Sequence, residues 1–82
     1  MKKHLNKVTK SYHQDISLAK ANQFEGIILP VSSGCEPYCI HDVEDEEYMC
    51  EMAFESGWDA FVLIDFINNE EKVIDLCEYE AA

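Results

Sequence analysis

Cys35, Cys39, His41 and Cys50 are the first residues in this chain to weigh for chemistry, because three thiols and an imidazole can in principle surround zinc. Their spacing argues against it. Strong zinc modules use paired Cys-x2-Cys units, whereas here the pattern is Cys35-x3-Cys39-x-His41, with eight residues between His41 and Cys50. Cys39 and His41 share a face if they lie on a strand, but Cys50 belongs to a helical stretch and must turn to meet them. Small core thiols are the commoner use of such residues, so no metal or other cofactor is expected.

Catalysis fares no better. A nucleophile, a base and a group that orients the base must converge, and the nearest set, Cys39, His41 and Asp42, is too close in sequence to do so readily. There is no Gly-x-Ser-x-Gly elbow, His-Glu-x-x-His pair, phosphate-binding loop or dinucleotide glycine pattern. The run Asp42–Glu47 lacks the central Gly and the terminal Glu of a calcium loop. The expectation is a protein that is not an enzyme.

Carboxylates are the remaining chemistry. Glu44, Asp45, Glu46, Glu47, Glu51 and Glu55 place six of them on a helix segment of roughly 16 Å, at ~1.5 Å per residue. That is roughly one charge per 3 Å, against one per ~1.7 Å along duplex DNA. Asp59, Asp65, Asp75, Glu78 and Glu80 are expected to extend this field across an adjoining sheet. The candidate partner-binding residues are therefore Glu44, Asp45, Glu47, Glu51, Glu55, Asp59, Asp65 and Asp75. The plainer use of such a surface is solubility, but the bulk numbers press further. The net charge is −11, from seventeen acidic residues and six lysines. Residues 21–82 hold sixteen of the carboxylates and only Lys72, a net of −15. Such a body resists nucleic acid and anionic lipid, so the expected partner is a basic protein surface, with no direct nucleic acid contact and no membrane.

The elements that must position these groups follow from pattern. Leu5, Val8, Tyr12, Ile16 and Ala19 form an apolar stripe at helical spacing, predicting a helix over 3–21. Ile27–Val31 reads as a short strand that Pro30 pushes towards a sheet edge, and Tyr38–His41 as a second. Asp42 is the expected N-cap of an acidic helix running to Ser56, with Met49, Met52, Ala53 and Ser56 inward and Gly57 as its left-handed stop. Phe61–Ile67 and Val73–Tyr79 are strands joined by a turn at Asn68–Glu71. An odd-length loop there gives the cleaner burial, putting Val62, Ile64 and Phe66 with Ile74 and Leu76. The other face of that hairpin must then be covered by the first helix, a second copy or a partner.

The result is one small α+β domain of order α-β-β-α-β-β with an antiparallel sheet, a helix at 3–21 and an acidic ββαββ body at 24–82. No apolar stretch follows Lys2 and Lys3 as a signal peptide requires, so a cytoplasmic protein with reduced thiols is expected. The five lysines of residues 1–20 are read as lying over the protein's own acidic body.

In size, acidity and lack of catalytic motifs the chain resembles the phage-encoded inhibitors that mimic DNA, such as anti-CRISPR and anti-restriction proteins. The resemblance is one of composition and carries over no residues. It implies an inhibitor or decoy for a basic nucleic-acid-binding surface in the host cell cytoplasm. Two other readings share the residues: a regulatory or antitoxin-like module that dimerises through its apolar sheet face, and a small zinc-binding domain.

Overall fold

In the computed structural model, which describes residues 11–31 and 35–76, the order is helix α1 (His13–Ala21), strands β1 (Gly26–Pro30) and β2 (Tyr38–Ile40), helix α2 (Glu46–Glu55), and strands β3 (Ala60–Asp65) and β4 (Glu70–Asp75). The four strands form one antiparallel sheet in the order β2-β1-β3-β4. This is the expected α+β arrangement. Residues 3–10 of the predicted first helix, 77–79 of the predicted last strand and Glu80 of the expected acidic field lie outside the described residues.

All five residues of β1 are buried, which a strand with one wet face would not allow. The reason is that the helices cover opposite faces. Ile27 and Leu29 point with Val62 towards α1, where Ala19 is buried and Tyr12 and Ile16 pack alongside. Ile28 points the other way with Ile40, Phe61 and Leu63, beneath Met49, Cys50 and Ala53 of α2 and Trp58 after it. Phe61 and Leu63, on the hairpin face opposite Val62, are therefore covered by α2 within the chain.

The expectations for three elements are corrected. First, Pro30 does not mark an edge, because β1 lies between β2 and β3. The Val31 N–H donates to the Ala60 carbonyl on β3. The Pro30 nitrogen thus faces the other side, past Ile28↔Tyr38 where the β1–β2 pairing ends, and no ladder bond is lost.

Second, the last hairpin closes through an even loop. Asp65 pairs with Glu70 across residues 66–69, placing Phe61 opposite Ile74 and Val62 opposite Val73. Ile64 therefore faces Glu71, not the apolar side of β4. The loop chemistry outweighs the apolar pattern. Asp65 anchors the turn and Asn69 takes the left-handed conformation at φ 55°.

Third, the cap of α2 is Asp45, whose side chain accepts from the Tyr48 N–H at 3.1 Å. Asp42 instead closes the preceding turn, accepting from the Glu44 N–H at 3.0 Å. The stop at Gly57 is as expected, at φ 81°, with Gly57 N–H on the Phe54 carbonyl and Trp58 N–H on the Ala53 carbonyl. Cys50, not Ser56, completes the inward face; the exposed Ser56 hydroxyl hydrogen-bonds Tyr38 at 2.7 Å.

Candidate functional site

Helix α2 buries Met49, Cys50 and Ala53, which leaves Glu47, Glu51 and Glu55 in a row along its solvent side. Four residues of helix advance roughly 6 Å, so these carboxylates recur at that interval. Glu44, Asp45 and Glu46 are exposed just before and at its first turn, where negative charge suits the helix dipole. Tyr48 and Phe54 are each 49% exposed on the same helix. No Lys or Arg occurs between Lys20 and Lys72 in the sequence, so no cation from this long stretch offsets the row.

The structure brings together five of the eight candidates, Glu44, Asp45, Glu47, Glu51 and Glu55, as one acidic ridge. Asp59 is exposed in the turn that leads from α2 into β3. Asp75 is exposed on β4 opposite Ala60, a register that puts it on the α1 side of the sheet, away from the ridge. Asp65 is buried, and its carboxylate is occupied by its own turn. Those hydrogen bonds, the Asn68 side chain foremost, hold its pKa below the usual 3.8.

The thiols and imidazole separate. Cys50 is buried in the α2 core and Cys39 is exposed on β2, while Cys35 is partly buried against the α2 core. Among the described residues no three His, Cys, Asp or Glu side chains are grouped as metal ligands. Burial raises the Cys50 pKa, with Glu46 adding to the effect, and partial desolvation beside the fold raises that of Cys39 although its side chain is largely exposed, with Asp15 adding. A raised pKa keeps a thiol protonated and slow as a nucleophile.

Beside the outer edge of β2 lies a feature that periodicity does not reveal. Cys39, His41, Asp42, Asp45 and Tyr48 line an open hollow of about 220 Å3. The His41 ring rests against Phe24, with centroids 4.6 Å apart. The signal available in the sequence was the closeness of these five residues, all within ten positions.

Comparison of the chain with protein-family models, with curated proteins and with solved structures finds no match. No helix among the described residues is long and apolar enough to cross a membrane.

Proposed function

We propose that this protein is a non-enzymatic inhibitor or decoy that occupies a basic nucleic-acid-binding surface of a partner, in the manner of DNA-mimic proteins from phages. The observation that carries this reading is the ridge on α2, where carboxylates repeat along a rigid helix with no Lys or Arg among them. Lys and Arg that grip phosphates read charge spacing and not bases, so regularly spaced carboxylates can satisfy them. The helix is held against the sheet by its buried face, and its acidic row is thus fixed before any partner arrives. In this reading the protein works in the cytoplasm where that partner works.

The test is an affinity pull-down from the cells in which the protein acts, followed by competition. Capture of a nucleic-acid-binding protein that is displaced by duplex DNA or RNA supports the reading. Capture that persists undiminished in excess nucleic acid overturns it.

A further inference from the structure

The sheet has two edges, β2 on one side and β4 on the other. Among the described residues no strand pairs with the outer side of β4, the longer edge at six residues against three. Which of its residues face outward follows from the ladder. The Leu76 N–H donates to the Asp59 carbonyl, one step beyond the pair Ala60↔Asp75. Bonded pairs alternate along an antiparallel ladder, so Ile74, Lys72 and Glu70 turn their backbone groups towards β3. The far side of β3 agrees: Ala60 accepts from Val31 and Phe66 donates to Glu25, which leaves Phe61, Leu63 and Asp65 for β4. Glu71 and Val73 therefore present N–H and C=O to the outside, and Asp75 falls at the same parity.

The side chains of these residues decide what can pair there. Val73 stands opposite Val62, which lies on the α1 side of the sheet. Glu71, Val73 and Asp75 thus project on that side as acid, apolar and acid, all exposed, with Val73 at 53%. Charge commonly guards an open edge against joining its own kind, and it does so here. Pairing β4 with a second copy so that outward residues meet allows two registers of five residues. One, over 70–74, sets Lys72 against its copy, and the other, over 71–75, sets Glu71 against Asp75 twice. Both also join two bodies of net −11. A strand with a basic residue opposite each carboxylate meets no such penalty. It gains two cross-strand ion pairs around an apolar contact at Val73.

We propose that the β4 edge is a binding site for an extended basic segment of a partner protein. The segment adds as a fifth strand, antiparallel like every pair in this sheet, with Lys or Arg opposite Glu71 and Asp75 and an apolar residue opposite Val73. Main-chain hydrogen bonds supply the affinity, and the alternate side chains select the segment. This goes beyond the decoy reading and does not rest on it, since the row projects on the α1 side and the acidic ridge lies on α2.

The test uses the full chain and the peptide acetyl-Arg-Ile-Val-Thr-Arg-amide, whose residues fall opposite Asp75, Ile74, Val73, Lys72 and Glu71 in turn. Amide hydrogen exchange followed by NMR is the readout. The peptide should slow exchange at Glu71 and Val73 and leave Lys72 and Ile74, already bonded to β3, unchanged. Replacing both peptide Arg by Glu should weaken binding roughly 2- to 30-fold, the loss of two cross-strand ion pairs. N-methylation of the peptide Val should abolish binding, because that N–H meets β4. N-methylation of its Ile, whose N–H points away, should be tolerated. Val73→Pro removes an outward N–H and no bond to β3, so it should keep the fold and lose the peptide. Should that variant not fold, Glu71→Lys is the second: it should shift the preference towards the Glu peptide. Absence of slowing at millimolar peptide, equal response to the Arg and Glu peptides, or tolerance of N-methyl-Val overturns the site. So do exchange changes confined to 46–55, or dimerisation of the free chain through β4. Partner capture indifferent to nucleic acid sinks the decoy reading and leaves these outcomes as they are.

Discussion

The Asp65 carboxylate accepts a hydrogen bond from the Asn68 side-chain amide at 2.9 Å, while its other oxygen accepts the backbone N–H groups of Ile67 and Asn68, each at 2.9 Å. Three donors on one carboxylate fix the four-residue turn, and with it the register of β3 against β4. Removing the carboxylate takes away the shared acceptor of three part-buried hydrogen bonds. Asp65→Ala should therefore cost about 1–3 kcal/mol, a sizeable share of a small domain's 5–15 kcal/mol. Urea denaturation of Asp65→Ala, Asn68→Ala and the double variant should show coupling between the two residues. Additive losses would mean that the pair does not act as a unit.

The same residue should leave a mark in acid. Its folded pKa lies below the unfolded 3.8, because the turn's donors favour the charged form. A depressed carboxylate pKa contributes stability above the unfolded value and loses it as pH falls through the folded one. The stability gap between the wild type and Asp65→Asn should thus be full at pH 5 to 7 and shrink below about pH 4. Easing of the −11 self-repulsion affects both proteins alike, so the gap isolates Asp65. A gap unchanged at pH 3 would contradict this account.

Core substitutions should sort by the observed faces. Phe61, with no exposed surface beneath α2, should cost about 3–5 kcal/mol on change to Ala. Ile64, half-buried and opposite Glu71, should cost less. Thermal melts of the two variants measure the order directly, and the reverse order would restore the odd-loop register.

The register shows where sequence reasoning stops. Both helices and all four strands were legible as apolar patterns, and Gly57 announced the end of α2 because little else tolerates a φ of 81° there. The loop was not legible, since the apolar pattern favoured an odd loop with Ile64 on the same face as Ile74 and Leu76. What decided it was one Asp reaching three donors, a local polar event with no period. Pro30 misled for a related reason: its missing N–H matters only on the side that has a neighbour. The ridge could be read from Glu47, Glu51 and Glu55, whose interval is the helical one. The hollow could not, because Cys39 of the strand, His41 and Asp42 of the turn after it, and Asp45 and Tyr48 of the helix start meet only once β2 is placed at the edge of the sheet.

Gly26 tests how tightly β1 is set between its neighbours. A Cβ added there would stand 2.6 Å from the Ile64 carbonyl oxygen and 2.6 Å from a Val43 methyl. The oxygen is backbone on β3 and cannot swing aside. Gly26→Ala should destabilise by about 1–3 kcal/mol through overpacking, whereas Ala at the exposed Ser17 should change little. A neutral Gly26→Ala melt would show that β1 and β3 can part at that end.

The ridge makes the functional prediction. If many separate carboxylates hold a basic partner, affinity must fall with salt, because the Debye length shrinks from about 10 Å at 0.1 M to 3 Å at 1 M. The association rate should drop over the same range, since the ridge also steers the encounter. Changing Glu47, Glu51 and Glu55 together to Lys moves the net charge from −11 to −5, two units per reversal. All three side chains are exposed, so the fold should persist and circular dichroism should be unchanged. Binding to the captured partner should be lost in the triple variant and only weakened in each single one, as expected of distributed contacts. Surface plasmon resonance at several salt concentrations reads both the affinity and the association rate. A triple variant that binds as the wild type does, with rates flat in salt, would leave the acidic row with solubility as its only role.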